Sequence, residues 1–289
     1  MTYTPPTGLT DRPIAILGAG TLGRRIALTF ATRGGRVHLY DVNEDSLNDA
    51  ADFLSAEVPK LVAQRGSGST AATIDYFTDL GGAVGNAWYV VESVPEIQSL
   101  KIDVLGRLDE ITEPDAIIGT NSSSYRSSEL IDKVIHPERV LNTHYGQPPE
   151  LLQVELMTDG TTDERIFDLL EKELPKHGFV TAVARKESVG FIVNRVWAAI
   201  KRESVAVVAE GVSTPAEFDK LWVASGFGSV GIFRMIDKVG LDVALDIEEN
   251  YIQHFPFIPT VSRDLLKAYV DAGKLGVKSG EGFYDDYRT

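Results

Sequence analysis

His144 and Glu155, eleven positions apart in "NTHYGQPPELLQVELM", are the residues whose types and spacing best suit proton chemistry. A neutral imidazole held by a carboxylate is the base that oxidation of an alcohol needs: it takes the hydroxyl proton while hydride leaves the carbon. Alternation along the apolar run sends Leu152, Val154 and Leu156 to one face of a strand and Gln153 and Glu155 to the other. A loop from Asn142 to Leu151, stiffened by Pro148 and Pro149, is expected to fold His144 back toward that glutamate. The same residues also describe a loop histidine near a half-exposed carboxylate, the commoner case when the residues are taken alone. His38 reads as structural, His136 as part of a turn, and His177 and His254 as helix-end residues. The five histidines lack metal-ligand spacing and no Ser-His-Asp order stands out, so neither a metal nor a nucleophile is expected.

A second constellation lies in "RPIAILGAGTLGRRIALTFATRGGRVHLYDVN". The compact apolar run at 13–17 suits a parallel strand covered on both faces. Gly18, Gly20 and Gly23 follow in G-x-G-x-x-G spacing, with Thr21 and Leu22 opening a helix whose apolar positions include Leu22, Ile26, Ala27 and Phe30. Glycines so spaced allow a tight turn, close approach of a pyrophosphate and close helix packing, while the helix N-terminus supplies free N–H groups. Asp41 ends the second strand, where a carboxylate accepts both ribose hydroxyls of NAD and repels a 2′-phosphate. The plainer reading is a glycine turn followed by an acid that caps a helix. Strand, motif, helix, strand and acid in that order favour a dinucleotide, and the short chain favours NAD over FAD.

The elements that must position these groups alternate. Further strands are predicted at 88–91, 116–120, 140–142 and 151–157, and helices at 98–111 and 164–176. This pattern implies a Rossmann-type α/β fold with a doubly wound, mainly parallel sheet. "RGSGST" at 65–70 reads as a flexible loop, and no repeat is present. After "TAVARKESVG" the pattern becomes helical, with Thr214, Pro215 and Glu217 forming a capped helix start. The domains are therefore placed at 1–187, binding the cofactor, and 188–289, all helical.

Composition bounds the function. The 289 residues are 43% hydrophobic and 24% charged, ordinary for a globular chain. With 28 Lys and Arg against 42 Asp and Glu, the net charge is −14, which opposes a nucleic-acid partner. Absence of cysteine excludes disulfides and thiolate chemistry. The polar N-terminus and the lack of a long apolar run lead to the expectation of a cytoplasmic protein without membrane partners.

The assembled motifs resemble the 3-hydroxyacyl-CoA dehydrogenase family over nearly the whole chain. The likeness is carried by "GAGTLGRRIA" with Asp41, "VESVPE", "TNSSS", "HPERVLNTHYGQPPELLQVELM", "GFIVNR", "AEGVSTPAEFD" and "GKLGVKSGEGFYD". The resemblance implies that His144 is the general base and Glu155 its orienting partner, that Ser123 and Asn194 hydrogen-bond the substrate oxygen, and that Glu96 and Lys101 lie on the cofactor ribose side. It also implies a 3-hydroxyacyl CoA thioester as substrate, a place in fatty acid metabolism, and a homodimer formed through the helical domain. Two departures pull against parts of this. "HYGQPPE" is shorter than the family's usual H-F-F-N-P-x-P loop, and the segment after Asp41 offers only Lys60 and Arg65 where the family carries a lysine-rich hairpin that meets the CoA nucleotide. A free β-hydroxy acid, as in gulonate- or carnitine-oxidising relatives, is the alternative substrate class. A binding-only protein, akin to the lens crystallin use of the fold, is the non-enzymatic alternative.

Overall fold

The computed structural model describes residues 3–287. The chain divides into two compact units, Met1–Phe191 and Ile192–Thr289.

The first unit is built on one eight-stranded sheet: β1 (Ile14–Leu17), β2 (Arg36–Tyr40), β3 (Thr73–Phe77), β4 (Tyr89–Glu92), β5 (Ile117–Thr120), β6 (Val140–Tyr145), β7 (Gln153–Met157) and β8 (Val180–Ala184). Their order is β3-β2-β1-β4-β5-β6-β7-β8, and every pair is parallel except β6 with β7. The helices are α1 (Thr21–Phe30), α2 (Glu44–Arg65), α3 (Leu80–Val84), α4 (Gln98–Ile111) and α5 (Glu164–Glu173). The central strands β1, β4 and β5 are buried along their whole length, as the apolar runs require of a sheet covered on both faces. One core gathers Ile16, Ile26, Phe30, Leu39, Leu54 and Val91; on the other side of the sheet Leu17, Val90, Leu105, Leu108 and Ile118 form a second.

Strands β3 and β8 were not predicted. Both lie at the sheet edges and are largely half-buried or exposed, "TIDYF" and "VTAVA", so neither carries the apolar run that marks a buried parallel strand. The larger correction is β6. It continues through Tyr145, so His144 is a strand residue and not part of the following loop.

The second unit contains α6 (Val193–Ala209), α7 (Pro215–Ala224), α8 (Ile232–Val239), α9 (Leu241–His254) and α10 (Val261–Asp271), with no strand among the described residues. Its core is Val205, Ile232, Phe233, Ile236, Leu241 and Leu266, onto which Phe283 and Tyr284 of the tail pack. Thr214 caps α7 reciprocally with Glu217, as the Thr-Pro-x-Glu spacing requires. Buried Asp237 accepts the backbone N–H groups of Phe283 and Tyr284, which fixes the tail to α8.

Candidate active site

The carboxyl ends of the parallel strands in the first unit bring together the glycine turn, Asp41, the acid-serine loop and His144. Ladder register shows why: Leu17 pairs with Glu92, Glu92 with Thr120, and Thr120 with Asn142, so the segments leaving β1, β4 and β5 and the last residues of β6 emerge at one edge. In open α/β sheets this is where ligands bind.

The three glycines serve different purposes. Gly18 has a φ of +99°, and a Cβ there would lie 2.4 Å from the Ser93 carbonyl oxygen. A Cβ on Gly23 would lie 1.8 Å from the Gly18 carbonyl oxygen, so α1 can pack on the turn only without a side chain. Gly20, the N-cap of α1, faces open space. An anion can therefore approach its backbone, where the free N–H groups of Thr21, Leu22 and Gly23 begin the helix. Leu22 is half-buried against the core and Thr21 is exposed.

Asp41 spans the turn. Its Oδ2 accepts the Ala19 N–H at 2.8 Å and its Oδ1 the Asn43 N–H at 2.9 Å. These bonds fix the half-buried carboxylate beside the glycines, and each oxygen retains a lone pair for a ribose hydroxyl. The cap of α2 falls instead to Asn43, which accepts from Asp45 and Ser46. The residues present thus fit NAD: an open backbone for the pyrophosphate and a fixed carboxylate for the ribose.

The acid and lysine expected at the ribose side form an internal network. Lys101 is 1% exposed, and its ammonium lies 2.8 Å from Glu92 Oε1, 3.2 Å from the Val94 carbonyl oxygen and 3.2 Å from Glu96 Oε2. Glu92 is itself fully buried and accepts from Thr120 Oγ1 at 2.6 Å and Val94 N at 2.8 Å. Lys101 is therefore not a solvated cation reaching toward a ligand; it compensates two carboxylates and holds Glu96 in place. Glu96 Oε1 accepts from Ser122 Oγ at 2.7 Å and from the N–H groups of Ser123 at 3.0 Å and Ser124 at 2.8 Å. Burial alone would raise the Glu96 pKa, but the Ser122 hydroxyl, the Lys101 charge and the Ser124 N–H together hold it below the usual carboxylate range. The loop carrying Ser123 is exposed at that residue and pinned beneath it.

His144 and Glu155 stand directly opposite each other in the antiparallel β6–β7 pair. His144 Nδ1 is 3.0 Å from Glu155 Oε2, and the two residues are 9% and 2% exposed. The carboxylate is an acceptor, so the bond suits the neutral tautomer with the proton on Nδ1, in which Nε2 presents its lone pair. A slip of one residue in register would send the two side chains to opposite faces. Alternation correctly separated Val154 and Leu156 from Glu155, yet Glu155 is also buried because both faces of β7 are covered. Gly146, after His144 and Tyr145, has a steric reason: a Cβ would meet the Gln153 amide and the Leu151 carbonyl oxygen at 2.7 Å, so the chain leaving β6 passes too close to β7 for any larger residue.

Several neighbours escaped the sequence reading. Asn121 Oδ1 accepts the Tyr145 N–H at 2.8 Å, tying the serine loop to the strand one residue beyond His144. Glu92 was visible only as part of "VESVPE", and its burial beside a lysine nine positions away has no periodic signature. Phe191 lies against the His144 ring. Asn194 sits in the first turn of α6, in the second unit, and is half-buried. Of the other histidines, His38 is buried in β2 with Nδ1 on the Ala83 carbonyl, and His254 ends α9. No group of metal-ligating side chains occurs among the described residues, and no helix among them is long and apolar enough to cross a membrane.

Residues 13–187 match "3-hydroxyacyl-CoA dehydrogenase, NAD binding domain" and residues 190–286 match the C-terminal domain of the same family. The 5-formyl-3-hydroxy-2-methylpyridine 4-carboxylate 5-dehydrogenase of Mesorhizobium japonicum is 30% identical over 282 residues, covering 94% of this chain and 90% of the relative. Among solved structures, (S)-3-hydroxybutyryl-CoA dehydrogenase of Ralstonia eutropha has a TM-score of 0.84 at 26% identity, covering 95% of this chain and 98% of that one. A diketoreductase that acts on dicarbonyl compounds has a TM-score of 0.79 at 27% identity, covering 98% and 99%. Two matched domains in the family's order, relatives similar along their whole length, and a glycine turn shaped for the dinucleotide lead to one conclusion: the chain belongs to the 3-hydroxyacyl-CoA dehydrogenase family and is an NAD-dependent oxidoreductase acting on CH–OH groups.

Proposed function

We propose that the protein interconverts a 3-hydroxyacyl compound and its 3-keto form, with His144 as general base and Glu155 as its orienting partner. The observation that carries the reading is the buried cross-strand pair, 3.0 Å between Nδ1 and Oε2, at the strand edge that also holds the glycine turn. When bound, NAD supplies the hydride acceptor. Nε2 of His144 takes the hydroxyl proton as the carbonyl forms, and the Glu155 carboxylate stabilises the imidazolium that results. In the reverse direction Nε2 returns that proton. Ser123 is assigned to a hydrogen bond with the substrate oxygen, Asp41 to the ribose, and Glu96 to the ribose side with Lys101 behind it.

The acyl carrier is the point at which charge favours a second reading over the CoA thioester implied by the family. The two cations of the segment after Asp41 are already engaged. Lys60 pairs with Glu57 at 2.7 Å, and Arg65 turns inward onto Thr32 Oγ1 and the His177 carbonyl oxygen. Because α2 is one helix packed on α1 through Leu54, Val58 and Leu61, a CoA nucleotide would meet Asp49, Asp52 and Glu57 with little to balance its phosphates. A compact β-hydroxy or β-keto compound is the substrate this surface suits, in keeping with the pyridine carboxylate dehydrogenase and diketoreductase among the similar proteins. NADH oxidation against acetoacetyl-CoA, the truncated pantetheine thioester and acetoacetate tests both parts. Turnover of at least one β-keto compound is expected, with a KM unchanged by removing the nucleotide. Inactivity toward β-keto compounds of every kind would refute the reaction, and a KM that rises at least tenfold on truncation would restore CoA.

A homodimer through the helical unit is proposed from its exposed apolar side chains, among them Leu221, Phe227, Val230 and Phe257. Sedimentation at twice the chain mass of 31.6 kDa would support it, and a monomer at micromolar concentration would refute it.

A further inference from the structure

We propose that Phe191 is a positioning residue for the base, a role that rests on the assignment of His144 made above. The Phe191 ring lies face to face on the His144 imidazole, with centroids 4.5 Å apart and planes inclined by 9°. Glu155 constrains the imidazole within its plane through Nδ1, but a single hydrogen bond does not stop the ring from rocking about the Cβ–Cγ bond. A phenyl group flat against one face does. The pair therefore fixes both the direction of Nε2 and the plane in which its lone pair lies.

The backbone at Phe191 marks this contact as more than core filling. Its φ is +55°, and among the described residues the only other non-glycine with positive φ is Asn86, a residue type that tolerates the left-handed region. For a bulky aromatic this conformation costs energy, and it persists only where surrounding bonds enforce it. Here they do. The Phe191 N–H donates to the Ser188 carbonyl at 3.0 Å, Ser188 Oγ donates to the Phe191 carbonyl at 3.0 Å, and the Ser188 N–H reaches Met157 Sδ at 3.2 Å. Gly190, at φ +76°, permits the turn just before it. Below the stack, Met157 and Ala184 at the ends of β7 and β8 pack against Phe191, which is 3% exposed. The strained turn thus presents the ring to His144 from a rigid support.

The stack also bears on the chemistry. A phenyl face carries negative quadrupole density, so it favours the imidazole when that ring has accepted a proton over when it has not. Such a preference is felt on the way to the transition state and not in substrate binding, and so acts on kcat more than on KM.

Two measurements test the proposal. In the wild-type protein, the His144 ring protons, assigned by their loss in a folded His144→Gln variant, are expected upfield of those of exposed His136 because of the phenyl ring current; an unshifted signal overturns the stack without any change at Phe191. Phe191→Leu is then expected to lower kcat about tenfold, with KM and NADH affinity within about twofold of wild type, while Phe191→Tyr returns kcat to within about threefold. If the leucine variant lacks a cooperative thermal transition, Phe191→Met takes its place. Wild-type kcat in the aliphatic variant, or a tyrosine variant no better than it, overturns the positioning role. His144→Ala separates the two readings: if it abolishes turnover while Phe191→Leu leaves kcat intact, the base assignment stands and the Phe191 role falls; if it leaves turnover intact, the base assignment itself fails.

Discussion

Replacing Glu155 with glutamine removes one charge and preserves shape, which isolates what the carboxylate does to His144. The pair is buried and 3.0 Å apart between Nδ1 and Oε2, so solvent screens it little. Taking about 4 Å between centres of charge and an effective dielectric constant of about 20, the attraction between imidazolium and carboxylate is about 4 kcal/mol. That attraction exists only once His144 holds the substrate proton, so it lowers the barrier without tightening the ground state. At 1.36 kcal/mol per decade, its loss slows turnover by about 10³. A second effect acts in the same direction: the glutamine amide can donate to Nδ1, leaving the ring proton on Nε2, where the substrate proton must go. Steady-state oxidation of NADH with an accepted β-keto substrate reports kcat, and quenching of intrinsic fluorescence reports NADH affinity. The expected result is a kcat lower by 10² to 10⁴ with NADH affinity within about twofold. A Glu155→Gln enzyme retaining kcat within about threefold would refute the argument, because the dielectric assumption cannot be stretched far enough to hide a charge in contact.

Four further outcomes are expected. Gly20→Ala leaves the thermal midpoint nearly unchanged, because its Cβ meets nothing, but weakens NADH binding at least tenfold; Gly23→Ala, whose Cβ would sit 1.8 Å from the Gly18 oxygen, lowers both, and equal behaviour of the two in a thermal-shift and titration series would refute the division of roles. Asp41→Ser narrows the preference for NADH over NADPH, and a wild-type protein that binds both equally would remove the ribose role from Asp41. Lys101→Met destabilises the fold by about 3 to 5 kcal/mol, since it strands buried Glu92, and a denaturation midpoint unchanged in urea would contradict the network. Burial, chiefly, lowers the His177 pKa to about 4, from 6.5 when unfolded, so its contribution to stability is complete above pH 6.5 and is lost as pH falls through 4. In that window the slope approaches about 1.4 kcal/mol per pH unit from this group. His177→Asn is expected to flatten the acid limb of the stability curve, and an unchanged limb would refute the assignment.

What the sequence determined by itself is local. The glycine turn needs only short-range sterics: strand, Gly18, Gly20, Gly23 and helix follow one another within a single turn, and Asp41 closes the next strand, so spacing alone specifies the cofactor cradle. Thr214 with Glu217 is local in the same sense, because both partners of a capping box lie within one helical turn. Alternation likewise told Glu155 from its apolar neighbours. The tertiary structure decided everything that depends on which strands lie side by side. Whether Glu155 meets His144 is a matter of register across β6 and β7, and a one-residue slip, invisible in composition or periodicity, would part them. Lys101 reads as an ordinary helix-face lysine until α4 lays it against Glu92 and Glu96, where low dielectric turns three charges into one network. Lys60 and Arg65 count as free cations in the sequence and are spent in the fold, one on Glu57 and the other on backbone carbonyls. Phe191 enters the sequence only within "GFIVNR", and nothing in that motif announces its contact with His144, because the left-handed backbone at this aromatic residue is held by Met157, Ala184 and Ser188, which the fold packs around it.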